Sequence, residues 1–275
     1  MWALAWALGC SAGVPVAAGD AAPPVDVPEV VPPAVPLFPA PGAPLSPLDV
    51  VVPDGFGTKR IVVDAGHGAP NNGGNTSCAG EREQDVTLRH ARELAGRLAK
   101  VGAFEVRLAR DGDVVPYTDR LAAAVAWKAD AFVSLHTDAR AGVTSWQTGG
   151  HWCTDGGDGL AVLWSDEGDA ALVDTRHALA RAIARRVGQT GLLPYPGVDY
   201  GGIYDPDDEV LGAFVDRHTP KQRIMVLRRS TVPTVIVETH NALDPDEPAR
   251  WEEAVTHDAF ASAVAQALID VLASK

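Results

Sequence analysis

From Lys59 onward, apolar residues gather into short blocks that alternate with longer stretches of three-and-four spacing. The blocks at 60–64 (RIVVD), 104–109 (FEVRLA), 131–136 (AFVSLH), 160–164 (LAVLW), 223–228 (RIMVLR) and 234–238 (TVIVE) have the length and β-branched content of strands. Between and after them, about 84–100, 117–128, 171–188 and 248–273 read as helices. Leu88, Ala91, Ala95 and Leu98 make one apolar stripe on the first, and Phe260, Val264, Leu268 and Val271 one on the last. Strands alternating with amphipathic helices predict an α/β domain over 58–275. Its core would be a single open, mostly parallel twisted sheet of about six strands, flanked by helices on both faces.

Upstream the pattern is different. Residues 11–57 are dense in Pro, Ala and Val without any amphipathic period. Their prolines forbid helix and inner strand, so the segment reads as a flexible tether with polyproline character. Residues 1–10 are short and apolar and end in ALGC. They resemble a bacterial lipoprotein signal, with Cys10 as the lipidated residue. A plain secretory signal is the alternative, because no Lys or Arg precedes the apolar run. Either implies export to the periplasm or cell envelope. No later run of about 20 apolar residues could span a bilayer, so membrane contact would come only through a lipid on Cys10.

Composition narrows the partners. The 275 residues carry 36 acidic and 23 basic side chains, a net charge of -13. That excludes a nucleic-acid binder, whose affinity rests on basic phosphate contacts. With Cys10 set aside, Cys78 and Cys153 are an even pair that an oxidising compartment could join; two free buried thiols are equally compatible with the spacing.

The candidate chemistry sits at strand ends. In open α/β sheets ligands gather outside the carboxyl ends of the strands. The first strand ends DAGHG, placing His67 just beyond it. The third ends with His136 and the sixth with Glu238. The segment GEREQDVTL puts Glu81 and Glu83 at the start of the first helix, near the same edge. Two histidines and one carboxylate form the ligand set of an open catalytic zinc site. The glycines beside His67 would avoid crowding the metal and permit a turn that other residues resist. Singly, each histidine is more often a core residue, and Glu83 more often an acid favoured by a helix N-terminus. The weight lies in their convergence.

The order DAGHG, GEREQDVTL, RDGD, YTDRLAAA, ADAFVSLHTDA and VLRRSTVPTVIVET is similar to the zinc-dependent N-acetylmuramoyl-L-alanine amidases of the Amidase_3 type, over 60–273. The resemblance implies that His67, Glu83 and His136 hold one Zn2+ per chain and that Glu238 is catalytic. Glu83 rather than Glu81 is the match, since it stands five before Leu88. Asp111 and Arg120 match structural positions. The implied reaction is hydrolysis of the amide between N-acetylmuramic acid and L-alanine in peptidoglycan. Zinc would activate water, and Glu238 would move its proton to the leaving amine. Ala65, Asp138 and His240 replace the usual proline, asparagine and phenylalanine, and His240 is a candidate second polar group. The segments 142–159 and 194–221 are longer than a minimal domain needs, and would form walls of a sugar-peptide groove, a cover, or simple packing. Two alternatives stand beside this: another zinc peptidase acting on stem peptides, or an autoinhibited or non-catalytic peptidoglycan-binding lipoprotein. The expected partners are peptidoglycan and, in the first reading, a protein activator; a monomer is the default.

Overall fold

The computed structural model of the chain describes residues 39–273, with 41 and 113 excepted. The signal-like segment 1–10, Cys10 and the tether as far as residue 38 lie outside the described residues. Strand β1 (Lys59–Ala65) leads into α1 (Glu83–Lys100), β2 (Phe104–Leu108), α2 (Tyr117–Ala126) and β3 (Ala131–Asp138). A hairpin of β4 (Thr144–Thr148) and β5 (His151–Asp155) precedes β6 (Ala161–Trp164), α3 (Ala170–Gln189), β7 (Tyr204–Pro206) and β8 (Ala213–Asp216). Helix α4 (Met225–Arg229), β9 (Thr234–Asn241), α5 (Glu247–Trp251) and α6 (Ala254–Leu272) complete the order.

The main sheet has seven strands in the order β2-β1-β3-β9-β6-β8-β7. Pairing is parallel except for β6 against β9 and β7 against β8. The central strands β1, β3 and β9 are buried on both faces, which is why they read as nearly continuous apolar runs. Val63, Leu135 and Val237 point to one face, where Leu94, Leu98, Ile183, Phe260 and Val264 from α1, α3 and α6 pack on them. Val62 and Phe132 point to the other, under Leu121 of α2 and Val226 of α4. Tyr195 and Tyr200, from the loop after α3, cover the β6 and β8 part of that face against Leu163, Phe214 and Ile236.

The expected sheet of about six strands therefore gains β7 and β8 and loses one member. Residues 223–228, expected as a strand, instead enter the short helix α4. Its Val226 and Leu227 are driven into two adjoining clusters beneath the sheet. An apolar run this short has no period that separates strand from helix. The expected helix 248–273 is broken at Glu252–Glu253 into α5 and α6. No helix among the described residues is long and apolar enough to cross a membrane.

Residues 42–57 run extended against the domain. The amides of Gly42, Leu48 and Val51 donate to the side chains of Glu253, Ser262 and Gln266, each at 2.8 Å. Leu45 and Phe56 are buried in the main core.

Candidate metal and hydrolytic site

The β1 end is built by buried cations gripping backbone carbonyls. Arg120 donates to Asp64 and to the carbonyl of Ala65, both at 2.9 Å, and to the carbonyl of His67 at 2.6 Å. Ser134 donates to the other Asp64 oxygen at 2.7 Å. Arg110 donates to the carbonyls of Ala65, Gly66 and Gln84, joining the strand end to the first turn of α1. Under this grip His67 adopts a left-handed φ of 59°, a conformation that side chains other than glycine enter only at a cost. The neighbouring glycines follow. A Cβ on Gly66 would come within 2.5 Å of His136 Nε2, and Gly68, at φ +65°, would push one to 2.7 Å from the Arg110 guanidinium.

Glu83 opens α1 and is almost fully buried. One carboxylate oxygen lies 3.1 Å from His67 Nε2, the other 3.1 Å from His136 Nδ1. The amides of Asn75 and Thr137 donate to the same two oxygens at 3.0 Å. Burial pushes the Glu83 carboxyl up, but hydrogen bonds from His136 and His67 outweigh it and hold the group well below the usual carboxylate range. Burial lowers His67, and the facing Glu83 more than restores it, for a net rise. The ligand atoms of His67, Glu83 and His136 all lie within 4.8 Å of one another. His67 Nδ1 meets Asn72 Oδ1 at 2.6 Å. With Nδ1 donating to Asn72, Nε2 is the nitrogen aimed at Glu83, and the one a metal would take as its proton is displaced. Two imidazoles and a carboxylate, each oriented by a further hydrogen bond or by packing, are a donor set suited to zinc.

Glu238 pairs in register with His136 across β3 and β9. His67, His136 and Glu238 line one cavity of about 390 Å³, with Tyr117, Arg223 and Met225 on its walls. Glu238 Oε2 is buried there without a hydrogen-bond partner among the described residues. Burial, reinforced by the charges of Asp138 and Glu83, raises its carboxyl well above the usual range. A buried carboxylate oxygen with no partner is costly unless something else comes to it.

The four residues expected from sequence thus converge, while others separate. Glu81 is half exposed and pairs with Arg89. Asp111 pairs with Arg92 at the surface. His240 does not line the cavity. It is buried against Trp251 and 5.8 Å from His90, and burial pushes it down to about 3. An imidazole that lies neutral between aromatic rings is core, so its expected place as a second polar group at the site is corrected. Asp138 does not line the cavity; it accepts from Tyr200 and from Arg140, the latter at 3.0 Å. Cys78 and Cys153 form a disulfide. Asn72 and Asn75 had no spacing to announce them; the only signal was a polar, glycine-rich run, NNGGNT, three residues after the histidine, while Arg110 opens the RDGD segment without its role being legible there.

The model of the N-acetylmuramoyl-L-alanine amidase family Amidase_3 matches residues 61–270. The chain is 26% identical over 216 residues to "Probable cell wall amidase LytH" of Staphylococcus epidermidis, an alignment spanning 78% of this chain and 57% of that protein. Its counterpart in Staphylococcus aureus is 25% identical over 215 residues, again 57% of its length. The chain therefore spans little more than half the length of these curated relatives. Among solved structures, the amidase Ami1 from Mycobacterium smegmatis superposes with a TM-score of 0.61 at 20% identity, covering 80% of this chain and 99% of that one. An N-acetylmuramoyl-L-alanine amidase from Clostridium difficile 630 gives 0.57 at 21% identity, covering 79% and 98%.

Proposed function

The chain belongs to the N-acetylmuramoyl-L-alanine amidase family, and from that premise we propose that it is a zinc-dependent hydrolase cleaving the amide between N-acetylmuramic acid and L-alanine in peptidoglycan, outside the cytoplasm. His67, Glu83 and His136 would hold the zinc. The observation that carries the reading is the unpartnered Glu238 oxygen lining the same cavity as the two histidines. Zinc bound to these three residues supplies a water of lowered pKa, toward ~7, and a Lewis acid for a carbonyl.

The chain's own groups do the rest. Asn72 and Asn75 hold His67 and Glu83 in place by hydrogen bonds at 2.6 and 3.0 Å. Arg120 fixes the backbone at His67. Glu238, whose proton affinity is raised by burial and neighbouring acids, takes a proton from water and delivers it to the amide nitrogen as the carbon–nitrogen bond breaks. The products are a free lactyl carboxylate and a peptide with a free L-alanine amine. Ile224, Met225 and Val226 line the same cavity and limit water there. A lipid on Cys10 would tie the domain to a membrane and belongs to the same proposal.

Mass spectrometry of soluble products from isolated peptidoglycan and the zinc-loaded chain tests this. Intact peptides beginning with L-alanine are expected. Glu238→Ala should lower their release by at least ~100-fold and still bind zinc. Cleavage inside the peptide would instead point to a peptidase, and no release with zinc bound would overturn the reading.

A further inference from the structure

The β4–β5 hairpin has no counterpart in the chemistry just described. It leaves β3 six residues beyond Asp138, at the strand edge that carries His136. Its base is fastened to that edge three times: by the disulfide from Cys153 to Cys78, by Thr154 N donating to the Leu243 carbonyl at 2.8 Å, and through Cys78 N to the Ala242 carbonyl at 2.9 Å. His151 packs over Gly80, where a Cβ would come within 2.8 Å of its ring. Cys78 and Gly80 belong to the loop that delivers Glu83. The hairpin is thus a braced projection from the end of β3 that carries His136, fastened to the loop that delivers Glu83, and none of its residues lines the cavity itself.

Its surface is unusual for this chain. All five residues of β4 are exposed, and Trp152 and Trp146 are 58% and 38% exposed. Exposed tryptophans held on a braced, disulfide-anchored hairpin lose little freedom when something stacks on them. Direct cross-strand pairing puts Trp146 beside Cys153 and Trp152 beside Gln147, so the indoles flank the hairpin on opposite faces. From Ala141 to Thr154 there is no Asp, Glu, Lys or Arg, in a protein of net charge -13. Ser145 and Gln147 share the Trp152 face, and Thr144, Thr148 and His151 share the Trp146 face.

A protein partner recognised by apolar contact would need a continuous apolar patch, and a charged ligand would need opposite charge. What this surface matches is a neutral, hydroxylated polymer with apolar ring faces. We infer that the hairpin is a saccharide subsite, where Trp152 on one face and Trp146 on the other stack against sugar rings of the uncharged glycan strands between which the hairpin projects, and the hydroxyl and amide groups beside each indole bond their polar substituents. The inference rests on the proposed reading only in naming the glycan of peptidoglycan as the strand. In that polymer the muramic carboxyl is consumed by the peptide amide, so the saccharide bearing an intact peptide carries no acid at its lactyl group.

The test is calorimetric titration of the full chain with purified glycan strands of alternating N-acetylglucosamine and N-acetylmuramoyl-L-alanine amide, which carry no charge. Trp152→Ala and Trp146→Ala are each expected to weaken binding by about tenfold. Trp152→Phe should recover most of the affinity, and all variants should melt with the native chain. Undiminished binding by the double alanine variant, or no binding by the chain with both tryptophans in place, would overturn the subsite. So would sedimentation showing that the hairpin pairs two copies of the chain while glycan binds neither form. The titration, run with Glu238→Ala throughout, needs no hydrolysis. A failure of stem release therefore leaves its result standing, and a failure to bind glycan leaves the hydrolase standing.

Discussion

His67 is useful only if its ring is aimed, and the aiming residue is Asn72. The 2.6 Å contact between Asn72 Oδ1 and His67 Nδ1 selects the tautomer that frees Nε2, and outer partners of this kind typically contribute 10–100-fold to metal affinity, an order-of-magnitude figure. Asn72→Ala should therefore raise the zinc Kd by about 10-fold or more in chelator competition, whereas Asn72→Asp, which keeps the acceptor, should cost less. His240 makes a different kind of prediction. Burial holds it at about 3 against 6.5 for an ordinary histidine. The unfolded chain therefore takes up a proton that the folded chain refuses, and the folded state loses stability as pH falls below 6.5 toward 3. His90, buried beside it, is shifted down in the same direction by burial and by His240. Each such histidine contributes a slope of up to about 1.4 kcal/mol per pH unit in that window. His240→Phe keeps a ring against Trp251 and should flatten the loss measured by denaturant melts between pH 6 and pH 4. An unchanged slope would mean that His240 is charged in the folded protein.

At the scale of elements, burial on two faces made the chain legible. β1, β3 and β9 lie in the centre of the sheet, so their apolar runs and the residues at their ends, His67, His136 and Glu238, could be read directly. β7 is three residues long at the sheet edge, and β4 is exposed along its whole length. Neither has a hydrophobic pattern to read. Residues 223–228 misled because an apolar quartet between arginines fits a strand as well as the turn of helix it forms. The orienting asparagines were illegible for another reason: a single polar side chain in a loop acts through tertiary distance, which no local period encodes. The pairing of Cys78 with Cys153 was likewise open until the hairpin fold brought them together. That bond closes a chain separation of 75 residues that runs through α1, β2, α2, β3 and β4, so the double replacement Cys78→Ser and Cys153→Ser should lower stability by about 2–4 kcal/mol. Because the loop it anchors delivers Glu83, reduction should also speed zinc loss to a chelator. Equal loss rates with and without reductant would show that the loop holds Glu83 unaided.

Across the whole molecule, the segment between the described N-terminus and β1 decides how the domain meets anything upstream of it. Residues 42–57 have the proline-rich composition of a tether, yet they descend α6 in step, Gly42 to Glu253, Leu48 to Ser262 and Val51 to Gln266. Leu45 reaches the turn after α3, within 3.4 Å of the Cβ position of Gly191. Phe56 meets Phe104 edge to face at 6.2 Å. Arg250 secures the start by donating to the Ala43 carbonyl at 2.6 Å. Burying two such side chains contributes about 3–6 kcal/mol gross, and the entropy of ordering an extended strand offsets much of it. A net of about 2 kcal/mol is expected. A chain beginning at residue 58 should therefore unfold at lower denaturant than one beginning at 39, with a lower Tm and, because α6 and the turn after α3 lose their cover, more apolar surface exposed to a reporter dye. Identical melts would mean that the strap lies on the domain without holding it, and that free tether extends to β1. A lowered midpoint would place the end of any free tether near Gly42, shortening by some 15 residues, about 50 Å of extended chain, the reach between the candidate site and an anchor at Cys10.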